Sequence, residues 1–242
     1  EAAFLEQIAA VSPLPPRPNS PPKVIEYDTA VNGGFPNGAS GQSDHGRAVG
    51  AVIRNLACPD FGAAGGCFAE VATHLATPLL RTPTGIIENT AQGGFLGRPS
   101  DVAAAIHEGL HRGTTAAPGP VIINLSLGWD RRWGGSRAPG ASPLAPNLAS
   151  VYAALEEARC RGALIISAAG NAAGGPDSES GPAFPASWER DVAPDAHRCF
   201  QLGLPSGPSG APSGPLLYAI SGVDGADIPI ANERPGGRAR LV

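Results

Sequence analysis

Two polar side chains and one strand end in this sequence are placed where they could do chemistry. His45 follows the polar turn SDHG and opens the amphipathic stretch HGRAVGAVIRNLA, with Gly46 beside it to let neighbouring backbone approach. An imidazole at a helix N-terminus feels the positive end of the helix dipole, which disfavours its protonated form and leaves it able to accept a proton near neutral pH. That is how a general base is presented, although a solitary histidine is more often a surface or core residue. Asn171 stands at the end of ALIISAAGN, after the small residues Ala168, Ala169 and Gly170. A side-chain amide at a strand mouth can donate to a developing oxyanion, a contribution of about 3 kcal/mol in a transition state. Its plainer reading is a turn former. The third feature is VIINLSLG, an apolar run ending in Ser126, Leu127 and Gly128 before a long polar loop. In an open parallel sheet ligands sit beyond the carboxyl ends of strands, so this end is a candidate substrate edge. Otherwise it is an ordinary core strand.

The elements that must position these residues alternate. From Lys23 onward strand-like and helix-like segments follow one another, the pattern of a parallel sheet with crossover helices and hence of an α/β fold. Strands are expected at KVIEYDT, FAEVATHLA, VIINLSLG, ALIISAAGN and LLYAISGVDG. Helices are expected at HGRAVGAVIRNLA, at SDVAAAIHEGLHRG with Ser100 as its cap, and at LASVYAALEEARCRG, closed by Gly162. WDRRWGGSRAPGASPLAPN and the SGPSGAPSG run read as surface loops. Residues 1–22 hold SPLPPRPNSPP, whose prolines fix φ and remove donors, so an extended arm precedes the domain.

Bulk properties narrow the function classes. The 242 residues are 42% hydrophobic, enough for one sizeable core, and a formal net charge of −4 is the wrong sign for a nucleic-acid footprint. No apolar run approaches the roughly 20 residues of a membrane helix, and the N-terminus lacks the regions of a signal peptide. The absence of methionine suggests a processed or excised polypeptide. Four cysteines allow three pairings. We expect Cys58 to pair with Cys67 across the Gly-rich turn and Cys160 with Cys199 by elimination. That points to an oxidising compartment, extracellular or periplasmic. Four reduced, buried cysteines are the competing reading. Without CxxC spacing a zinc site is not expected, and no Asp/Asn cluster supports calcium, so no cofactor is called for.

Taken in order, the segments resemble the subtilase (subtilisin-like serine peptidase) family. HGRAVG at 45–50 is similar to the family's HGTHVAG box, INLSLG at 123–128 to INMSLG, SAAGN at 167–171 to AAAGN, and FPAS at 184–187 to its YPA turn. The last stretch, 218–242, is similar to the segment that leads to the family's APG. The resemblance implies a subtilisin-like three-layer α/β/α domain over 23–242 with a mainly parallel central sheet. It implies His45 as general base and Asn171 as oxyanion donor. Ser126, Leu127 and Gly128 become the strand that pairs with a peptide substrate, and Ala168, Ala169 and Gly170 the pocket wall. GGFLG at 93–97 is the candidate for the opposite edge.

The family's aspartate ends the first core strand, which selects Asp28. Its rival Asp44 adjoins His45, a poor position for reaching that residue's Nδ1. Two departures from the family pattern are Ala30, in place of a glycine, and Ala48, in place of the second histidine of the box. The nucleophilic serine of the family lies beyond the APG segment and is therefore expected after Val242. The domain would then be C-terminally incomplete, and the isolated chain inactive. Thr115 in GTTAAPGP mimics the serine box but precedes both INLSLG and SAAGN, so it belongs to a helix-to-strand connection. The implied activity is endopeptidase hydrolysis of peptide or protein substrates, with a C-terminal fragment carrying the serine as a further partner. The competing function is a pseudo-protease or peptide-binding module without turnover.

Overall fold

The computed structural model describes residues 20–29, 44–58, 67–78, 81–82, 85–86, 88–89, 94–95, 97–113, 120–172, 180–204, 214–223, 226, 228–230 and 233–234. Residues 1–19 of the Pro-rich arm, Ala30 and Thr115 lie outside them, as does the side chain of Asp44.

Apolar runs short enough for strands make the centre of the fold. Five strands, β1 (Lys23–Asp28), β2 (Glu70–Leu75), β7 (Val121–Leu125), β8 (Leu164–Ala168) and β9 (Tyr218–Ile220), form one sheet in the order β2-β1-β7-β8-β9. Every pairing in it is parallel. Two small antiparallel ribbons stand apart from it: β3 (Arg81–Thr82) with β4 (Gly85–Ile86), and β5 (Glu88–Asn89) with β6 (Gly94–Phe95). The second ribbon contains the core of GGFLG.

Helices cover both faces, as a parallel sheet requires. The pleat of β1 sorts its side chains: Ile25 and Tyr27 turn to one face, Glu26 and Asp28 to the other. Tyr27 meets α2 (Pro99–Gly113), where its hydroxyl donates to the Ile106 carbonyl at 3.3 Å. Gly109 makes room for that hydroxyl, since a Cβ there would lie 2.2 Å from it. Helix α3 (Pro146–Cys160) packs beside α2 and against β8. Ile25, Ile106, Leu110, Ile123, Leu125, Leu155 and Ile165 are almost wholly removed from water in this layer. Each such side chain contributes about 1.5–3 kcal/mol through burial. The opposite layer holds α1 (Asp44–Ala57), packed on β1 and β2.

The alternation of elements therefore reads correctly, with differences at their ends. The strand expected over VIINLSLG stops at Leu125, which leaves 126–128 outside the sheet ladder. Helix α2 begins at Pro99 rather than being capped by Ser100. Its first turn is instead held by the Asp101 carboxylate, which accepts from the Arg98 N–H at 3.3 Å. Gly162, at φ 84°, closes α3 as expected. Helix α4 (Ala196–Gln201) is an element that no sequence pattern predicts; Asp195 caps it by accepting from the Arg198 N–H. The disulfides are Cys58–Cys67 and Cys160–Cys199, and the latter ties α4 to the end of α3.

Candidate active site

Strand β1 and helix α1 deliver the central pair. Asp28 is the last residue of β1 and His45 the second of α1, and Thr29 joins the two elements. The Thr29 hydroxyl accepts from the Gly46 N–H at 2.9 Å, occupying a helix-start donor that has no partner within the helix. Its own N–H donates to Asp28 Oδ1 at 2.7 Å. Both carboxylate oxygens of Asp28 lie 2.9 Å from His45 Nδ1. The carboxylate side chain is 3% exposed and the imidazole 33%, so the acid is buried behind a ring that still reaches solvent.

This contact fixes the ring's chemistry. Nδ1 donates to the carboxylate, which leaves Nε2 as the nitrogen that can take up a proton. The hydrogen bond to Asp28 raises the imidazole pKa above its ordinary value, burial opposes the rise, and the Asp28 charge adds to it. The net effect is opposite to the one expected from the helix dipole alone, because a carboxylate in contact outweighs partial charges at a helix end.

His45 faces a cavity of about 290 Å³ beyond the carboxyl ends of β7 and β8. Ser126, Leu127 and Gly128 line one side, and Ala168, Gly170 and Asn171 another. Ser126 Oγ accepts from Asn124 Nδ2 at 3.0 Å. Asn171 is exposed at the mouth and bridges to Glu233. Ala169 departs from its expected place: it is buried, with its N–H donated to the Ile220 carbonyl at 2.7 Å. It is not among the residues that border the cavity.

The turn at FPAS supports both walls. Phe184 exchanges backbone hydrogen bonds with Trp129 at 2.7 and 2.9 Å, and Ala183 donates to the Ala169 carbonyl at 2.8 Å. Two close approaches require glycine. A Cβ at Gly128 would sit 2.8 Å from the Phe184 carbonyl oxygen, and Gly170 has φ 91° with Ala183 and Arg234 at its surface.

Several site residues escaped the sequence reading. Thr29 has no motif of its own and follows only from the geometry of the strand end. Asp130 and Arg234 also border the cavity, joined by an ion pair of 2.5 Å, and Arg234 further donates from Nε to the Gly181 carbonyl at 2.9 Å. Arg234 is 4% exposed. Its place in a loop far along the chain gave no periodic signal. Glu26, two residues before Asp28 on the same face, is wholly buried between Thr73 and Asn124 in the sheet register. Neither of its carboxyl oxygens has a hydrogen-bond partner among the described residues. Burial, followed by the charge of Asp28, pushes its pKa up to about 8.

No family model matches the sequence, and no curated protein matches it. Among solved structures the chain is similar to Sphericase, at 15% identity and a TM-score of 0.42, over 96% of this chain and 64% of that one. This chain thus spans less than two thirds of Sphericase's length, and a likeness this loose transfers no property from one protein to the other.

Proposed function

We propose that residues 23–242 are the greater part of a subtilisin-like serine endopeptidase domain whose nucleophilic serine follows Val242. The observation that carries this reading is His45 Nδ1 at 2.9 Å from both oxygens of the buried Asp28, with the same imidazole bordering a cavity at the strand mouths. An extended peptide lies along 126–128, its backbone hydrogen-bonded as an added strand. The serine hydroxyl attacks the scissile carbonyl carbon while its proton passes to His45 Nε2. Asn171 donates to the oxyanion that forms, and Asp28 holds the ring and stabilises the imidazolium. The imidazolium then returns the proton to the leaving amine. Water hydrolyses the acyl-enzyme by the same route in reverse order, which restores the serine. Substrate and, where the chain is nicked, the serine-bearing fragment are the partners. The two disulfides favour an oxidising compartment for this chemistry.

Fluorophosphonate labelling of the full-length protein, followed by peptide mapping, tests the reading. The expected result is a label on a serine beyond Val242, lost in His45→Ala. A label on Ser126, or labelling at an undiminished rate in His45→Ala, would overturn it. Saturable peptide binding with neither labelling nor turnover would establish the peptide-binding alternative.

A further inference from the structure

On the layer away from His45, helices α2 and α3 assemble a second set of imidazole and carboxylate groups. His107 and His111 are one helical turn apart on α2, so their rings share a face, with centroids 4.2 Å apart. Glu157 of α3 reaches both: Oε2 is 3.0 Å from His107 Nδ1 and Oε1 is 3.1 Å from His111 Nε2. The three groups present one ligand atom each, all within 4.8 Å of one another. Glu157 is 17% exposed and the rings 61% and 47%, so the carboxylate is a half-buried floor beneath an open rim.

We propose that His107, His111 and Glu157 form a binding site for a divalent transition-metal ion, with Zn²⁺ the best chemical match. Two imidazoles and one carboxylate are a donor set that zinc accepts, and a three-ligand site leaves a coordination position for water. The spacing His107-Glu108-Gly109-Leu110-His111 is one by which a single helix supplies two such ligands. In hydrolytic zinc helices the intervening glutamate acts as base. Here the carboxylate that meets both rings is Glu157 of α3, and the site is assigned to metal binding.

The carboxylate already meets a cation. Arg161 is the cation the metal must displace: Nη2 lies 2.8 Å from Glu157 Oε1 and 3.3 Å from His111 Nε2. Arg161 follows the last residue of α3 and is partly exposed, so its side chain has a path outward.

Zn²⁺ titration of the chelator-stripped chain by calorimetry, with Co²⁺ absorption as a second readout, tests the proposal. One Zn²⁺ per chain is expected. His107→Ala and His111→Ala should each weaken binding by roughly tenfold or more. Arg161→Ala should tighten it by removing the competitor, a change that a purely structural helix clamp would not produce. His45→Ala should leave zinc binding unchanged, which separates this site from the proposed peptidase centre. No saturable binding, or binding of equal affinity in the His107→Ala/His111→Ala double variant, would overturn the assignment.

Discussion

His45–Asp28 and His107/His111–Glu157 pair the same chemical groups at nearly the same distance, yet the fold gives them different work. Asp28 ends a strand, is sealed from water, and is fixed from behind by the Thr29 N–H. Its charge is little screened, so it orients one ring and raises that ring's affinity for protons. Glu157 lies between two helices with solvent-facing rings and a guanidinium beside it. There the same attraction is shared among three cations or hydrogen-bond donors and is screened by water. Burial and the number of competing partners, more than distance, separate a sealed carboxylate–imidazole pair from an open, solvent-screened cluster.

The largest effect that would sharpen this contrast is on turnover. Asp28→Asn keeps the size of the side chain but removes the charge that holds the imidazole, and under the proposed peptidase function it should lower kcat of the full-length protein on a peptide substrate by about 10⁴-fold. A loss of less than tenfold would place Asp28 with Glu157, as a structural partner only.

Glu26 gives the next effect, on stability. Its folded pKa of about 8 lies above the ordinary 4.5, so between those values the folded state binds more protons than the unfolded one. Its contribution is fully present below about pH 4.5 and is lost as pH rises through about 8. The total is roughly 5 kcal/mol. Chemical denaturation from pH 5 to 9 should show this decline, and Glu26→Gln should flatten it. An unchanged slope in that variant would contradict the burial argument.

Loss of the Cys160–Cys199 bridge, which closes a separation of 39 residues, should cost about 3–4 kcal/mol in Cys160→Ala/Cys199→Ala, read from denaturant midpoints. Glu157→Gln is the smallest. With its rings exposed, it should cost less than about 1 kcal/mol of stability in metal-free protein. A larger loss would show that the cluster is a helix clamp of the buried kind.

The parts of the molecule legible in the sequence are those set by local pattern. Runs such as VIINL and LIISA announce buried parallel strands, and Gly162 marks the end of α3. Asp28 ends β1 and His45 opens α1, where pattern and position agree, and Asn171 follows β8 by three residues. What escaped depends on distant packing. Thr29 matters only because β1 and α1 converge, and Arg234 only because its loop returns to Asp130. His107 and His111 are spaced for a metal within one helix, but their carboxylate comes from another helix. The six-residue α4 rests on its Asp195 cap and a disulfide rather than on an amphipathic repeat.

The claim that His45 acts as a base held by Asp28 is tested most directly by its titration. In the full-length protein, the pH dependence of fluorophosphonate labelling should be compared with the NMR titration of the His45 ring. Because the base works unprotonated, the labelling rate should rise with pH through the ring's own pKa, which Asp28 sets above the ordinary histidine value. The two curves should coincide. Labelling that is indifferent to pH across the His45 titration, or a His45 pKa below that of an ordinary histidine, would contradict the account.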